Sequence, residues 1–138
     1  MSIPVIECIK RCTANPAFLD RFYELFTSNP AVREKFSKTD FDRQKYLLGH
    51  MLVMLIKHAY GLRGADERLT EVARRHGTGD LNIPRYMYND WIDCLVRAVR
   101  ETEPNLPDEV MGDLRRVMEA EVATFISRAE NPTNAPAT

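Results

Sequence analysis

No stretch of this chain stays apolar for long. The strongest run, Met51 to Ile56, lies between His50 and Lys57, far short of the roughly twenty residues a helix needs to cross a bilayer. Cysteine is scarce and unpatterned. Cys8, Cys12 and Cys94 form an odd set without CxxC, which gives neither a disulfide framework nor a zinc site. Cys8 and Cys12 can share a helix face and are expected to pack as small apolar side chains; a reducing cytoplasm is the expected compartment. An excess of charge is missing too. Nineteen basic and twenty acidic side chains leave a formal net charge of −1 with no basic cluster, which argues against nucleic acid or an acidic membrane surface as partner. The opening residues, MSIPVIECIKR, lack a basic start followed by a long apolar region, so no signal peptide is expected. No segment alternates with period two, no internal repeat is evident, and P-loop, GxGxxG and HExxH motifs are absent.

What remains is helical. With 138 residues, 44% hydrophobic and 28% charged, the chain fits one globular domain with a sizeable core. Ser2 and Pro4 are start signals for a short first helix that carries Val5, Ile6, Ile9 and Cys12 inward. Asn15-Pro16 and Asn29-Pro30 each read as a cap followed by a helix start. Between them Phe18, Leu19, Phe22, Tyr23, Leu25 and Phe26 make a dense apolar face; Phe22 and Tyr23 point about 100° apart, so they serve different purposes. A short turn ends at Phe36, and Ser37 to Phe41 forms a polar corner. Thr39 or Asp40 caps a helix from about Asp42 to Tyr60 with Leu47, Leu48, Met51, Leu52, Leu55 and Ile56 inward and Gln44 one turn before Leu48. Gly61 and Gly64 end it. After Pro84 a helix buries Met87, Trp91, Cys94, Leu95, Ala98 and Val99, and a last one, from about Pro107 to Arg128, buries Val110, Leu114, Val117, Met118, Val122 and Phe125. Six or seven helices make an all-α domain over residues 1–130. The polar, Pro-rich NPTNAPAT of 131–138 is expected to be a disordered tail.

The helix from Ala65 ends on His76. Leu69, Val72, Ala73 and His76 share one face, and Gly77 and Gly79 follow at once. A lone histidine here is ordinarily a core or capping residue, favoured by the negative end of the helix dipole. Ile83 and Pro84 then open the next helix, with Pro in its first turn.

Five landmarks in order change that reading. FYELFTSNPAVREKF resembles the second helix and corner of bacterial globins, with Tyr23 and Phe36 at the matching positions. TDFDRQKYLL resembles the opening of their distal helix, with Gln44 at the distal position, and VARRH places His76 as the proximal ligand. IPRYMYNDWIDCL and VATFISR resemble the start of the following helix and the final helix of single-domain and flavo-type haemoglobins. The resemblance covers residues 3 to 128. The interval from Tyr23 to Gln44 is similar to truncated globins, while that from Gln44 to His76 is similar to the full-length class. It implies a three-over-three globin sandwich with a shortened first helix.

The resemblance implies haem b, with His76 as its metal ligand and with Phe36, Leu48, Val72, His76, Ile83, Met87 and Trp91 as the cofactor-binding set. A haem globin needs one neutral imidazole on iron within an otherwise apolar slot. Tyr23 and Gln44, the distal pair, would face the sixth position as donors to a ligand such as dioxygen, which carries partial negative charge when bound. Taken singly, a core tyrosine and a solvated first-turn glutamine are the ordinary explanations; the joint spacing with His76 favours the functional one. His50 and His58 are expected at the surface or its boundary. Arg74 and Arg75 either pair with propionates or are solvated. The implied function is reversible oxygen binding, with nitric oxide oxidation as a further activity if a separate reductase supplies electrons. The alternative is a haem-based or haem-free sensor or interaction domain. In flavo-type haemoglobins a Tyr and a Glu strengthen the proximal histidine. Here Tyr86 or Met87 falls near that Tyr, and Met118 stands where another Tyr is common.

Overall fold

Both Asn-Pro pairs start a helix. Asn15 Oδ1 accepts the Ala17 N–H at 3.0 Å, and Asn29 Oδ1 accepts the Ala31 N–H at 2.9 Å. In each pair proline takes the first helical position, where its missing N–H has no helical partner to lose. The computed structural model describes residues 3–61, 64–76 and 84–130, and for Ile3, Ala65, Arg75, His76 and Glu130 the backbone alone. Its helices are α1 (Ile3–Thr13), α2 (Pro16–Phe26), α3 (Pro30–Lys35), α4 (Phe41–Ala59), α5 (Ala65–His76), α6 (Arg85–Thr102) and α7 (Asp108–Glu130). There is no strand among the described residues.

All but the short α3 form two layers of three. In one layer α4 packs against both α1 and α5; in the other α6 packs against both α2 and α7. The layers meet chiefly where α7 crosses α1, α4 and α5 and where α2 meets α1 and α4. This is the expected three-over-three sandwich, and α1 is short at 11 residues. Phe18, Phe22, Ile9, Leu52, Leu55, Leu69, Leu95, Leu114 and Met118 are inaccessible to solvent at its centre. Each such side chain contributes about 1.5–3 kcal/mol by leaving water. Cys8 and Cys12 are buried on α1, and all three thiols are free.

The joints follow local chemistry. Asp40 caps α4, its Oδ1 accepting from the Asp42 and Arg43 N–H groups at 3.1 and 3.3 Å. Gly61 and Gly64 sit at φ 72° and 87° in the corner between α4 and α5, a left-handed geometry that glycine adopts without a Cβ clash. Three expectations need correction. Leu47 is 45% exposed, not inward; it lies about 100° round the helix from Leu48, whereas Met54 is buried. Ile92 is buried on α6 although it was not among the expected inward residues. Pro84 is not in the first turn of α6 but precedes it as N-cap in an extended conformation, φ −69° and ψ 150°, its carbonyl accepting the Met87 N–H at 3.1 Å. Ile83, Gly77, Gly79 and the tail 131–138 lie outside the described residues. No helix among the described residues is long and apolar enough to cross a membrane.

Candidate functional site

Tyr23 and Gln44 meet although 21 residues separate them. The end of α2 fixes Tyr23: its carbonyl accepts both the backbone N–H and the hydroxyl of Thr27, at 2.9 and 2.5 Å. The Asp40 cap fixes the first turn of α4, which carries Gln44. The Gln44 side-chain amide donates to Tyr23 Oη at 3.2 Å.

The surroundings of that bond are aromatic. The Tyr23 ring lies edge-on to Phe22 at 5.0 Å, to Phe41 at 5.6 Å and to Phe36 at 5.9 Å between centroids. Phe36 caps α3 and also reaches Phe26 and Phe41, at 6.0 and 5.9 Å. Tyr23 is only 5% exposed. Burial pushes its hydroxyl up to about 12, and the Gln44 donation opposes that shift only in part. The phenol therefore keeps its proton at neutral pH and is a donor. Among the described residues its oxygen accepts from Gln44 and its proton has no acceptor. A buried donor left unsatisfied costs about 1–3 kcal/mol, so the hydroxyl is available to donate to an acceptor brought beside it.

The remaining expected residues are placed as follows. Trp91, half-buried on α6, reaches the cluster through Phe22, with ring centroids 5.9 Å apart. Leu48 stands one turn after Gln44 and is buried, as is Met87 on α6. Val72 is half-buried on α5, one turn before His76. His76 is the last residue of α5, and its side chain, like that of Arg75 and all of Ile83, lies outside what the structure describes. Arg74 pairs with Glu71 at 2.8 Å on the exposed face of α5.

Two features escaped the sequence reading. Phe41 was assigned to a polar corner, yet it packs on Tyr23; its place three residues before Gln44, on the same helix face, was the available signal. His58 lies at the boundary as expected, but its pairing was not foreseen. Its Nδ1 lies 2.5 Å from Glu121 Oε1 and its Nε2 2.9 Å from Asp66 Oδ1. Those partners are 63 and 8 residues away, so no local pattern announces the first. His50 is exposed and rests against the Tyr46 ring, as expected for a surface histidine.

No protein-family model matches the chain, and no curated protein matches it. Among solved structures it is similar to a Pseudomonas aeruginosa protein whose crystal structure is described as structurally highly homologous to a human haemoglobin. The two share 31% sequence identity over 92% of this chain and 96% of that one, with a TM-score of 0.84. Helix order, layer pairing and that identity agree, and the chain belongs to the globin family, among its bacterial haemoglobin-like members.

Proposed function

We propose that this globin binds haem b and holds dioxygen beside Tyr23 and Gln44. The observation that carries the reading is the Tyr23 hydroxyl, buried in an aromatic cage with its proton free of any acceptor in the described chain. When bound, haem would supply an iron able to take a diatomic ligand. His76, the last residue of α5, would be the residue to hold the iron. Phe36, Leu48, Val72, Met87 and Trp91 would supply the apolar walls, Leu48 and Met87 buried and the other three half-buried.

The chain's own groups would do two things to a ligand. The Tyr23 proton would fill its vacancy by donating to a partly negative oxygen, and the Gln44 amide would either keep orienting the phenol or turn to donate as well. The ring cage would exclude water, which strengthens both bonds. Carbon monoxide, a poorer acceptor, would gain less.

Absorption spectra of the purified protein, oxidised, reduced and with carbon monoxide, test the reading directly. Haem bands that respond to reduction and to carbon monoxide are expected. His76→Ala should lose stable haem retention and regain it with added imidazole. An unchanged haem content and spectrum in that variant would remove His76 from the axial role, and a chain that takes up no haem would end the proposal.

A further inference from the structure

We propose that His58 closes a one-proton clasp that holds the start of α5 against α4 and α7. The ring lies near the end of α4, half-buried, with Glu121 of α7 at 2.5 Å from Nδ1 and Asp66 of α5 at 2.9 Å from Nε2. Neutral imidazole carries one N–H. With both carboxylates ionised, it can donate to only one of them, and its other nitrogen faces an oxygen lone pair to lone pair. The two contacts hold together when the cluster carries one further proton, whether drawn as imidazolium between two carboxylates or as imidazole beside one carboxylic acid. That proton belongs to the group and not to one residue.

The surroundings decide which contact fails when the proton leaves. Glu121 is 7% exposed, and His58 is its only polar partner among the described residues. A buried carboxylate without a donor is costly, so the remaining N–H stays on Nδ1 toward Glu121. Asp66 is nearly half exposed and has a second partner. Arg128 of α7 donates to its Oδ1 at 2.9 Å, to its backbone carbonyl at 3.3 Å and to Thr70 Oγ1 at 3.0 Å. Asp66 therefore turns from His58 and stays with Arg128: α5 loosens from α4 while remaining tied to α7. The charged groups facing the ring are Asp66 and Glu121, with Arg128 behind Asp66; α1 and α2 send it no hydrogen bond or ion pair among the described residues. His58 and Arg128 together hold the Asp66 carboxyl below the usual carboxylate range, which keeps it ionised as the clasp requires. The proposal does not depend on haem.

The test uses the full chain as purified, from about pH 5 to pH 8, where histidine switches ordinarily act. Nitrogen NMR of the His58 ring reports its protonation, and amide exchange of residues 69–74, corrected for the intrinsic effect of pH, reports the hold on α5. Both ring nitrogens should be protonated or hydrogen-bonded to acid at the low end, and α5 protection should fall about fivefold to tenfold as the proton leaves, the loss of one hydrogen bond. Glu121→Gln supplies the missing proton covalently: its amide donates to Nδ1 while Nε2–H donates to Asp66. Its α5 protection should be flat with pH. Should that variant not fold, Asp66→Asn poses the same question from the other side of the ring. Flat α5 protection in the parent chain, or an equal fall in the amide variant, overturns the clasp.

Discussion

α2 and α5 are nearly equal in length, 11 and 12 residues, but they are held in place by different forces. α2 buries Phe18, Phe22, Tyr23 and Phe26. Among its described side chains α5 fully buries only Leu69 and Ala73, with Val72 half-covered, and its start is tied down by Asp66 and Thr70 through His58 and Arg128. A buried aromatic side chain removes about 150–250 Å² from water, whereas partly exposed ion pairs are typically worth about 0–1 kcal/mol. α2 is therefore a rigid frame that presents one hydroxyl without an acceptor among the described residues. α5 is an element that can open locally; if it holds a cofactor as proposed, a ligand at a thousandfold over its Kd adds about 4 kcal/mol.

The comparison breaks first at Phe22. Its truncation to alanine removes a ring that touches Tyr23, Phe26 and Trp91 at once, and a loss of about 3–5 kcal/mol in denaturant unfolding is expected. Leu69→Ala should cost less, about 2–3 kcal/mol. Its signature should be local, with faster amide exchange along α5 before the rest of the chain responds; a uniform increase across all helices would show that α5 is as firmly held as α2.

Tyr23→Phe sharpens the contrast on the distal side, because it keeps the ring and deletes the hydroxyl. If dioxygen is the ligand, its release should accelerate by roughly threefold to a hundredfold, while carbon monoxide release changes less. Stopped-flow displacement measures both, and a shift within about twofold would remove Tyr23 from the ligand site. The same variant has a pH signature. The folded chain holds this proton up to about 12, against an ordinary value of 10.0. The parent therefore pays nothing below pH 10.0 and loses stability as pH rises from there toward about 12, where the unfolded chain ionises first. The variant should lack that slope in alkaline unfolding curves.

The smallest effect separates the two caps. Asn15→Ala removes one bond to Ala17, for a loss of about 1 kcal/mol. Asn29→Ala removes the matching bond to Ala31 and also the donation of its side-chain amide to Asp90 of α6, at 2.9 Å. It should therefore be the more damaging of the two in thermal melts.

Local rules account for most of what could be read in the chain. Asn-Pro pairs, the Asp40 cap and the Gly61 and Gly64 corner act over one or two turns, so they specify where helices begin and end without knowing their neighbours. Periodicity likewise marked the inward faces of α2, α6 and α7, since a stripe at helical spacing is a property of one segment. It failed at Leu47 because nothing in a single helix says how far along its flank a neighbour extends. The resemblance to bacterial globins set Tyr23, Phe36 and Gln44 around one site, and in the fold Tyr23 lies against both the Phe36 ring and the Gln44 amide. Only the packing of α4 against α2 left the Tyr23 proton without an acceptor among the described residues, and only the meeting of α7 with α4 and α5 placed Glu121 and Arg128 around His58 and Asp66. Helices and their faces are set by residues three and four apart; an unsatisfied donor or a histidine between two acids arises between segments, and tertiary packing alone decides it.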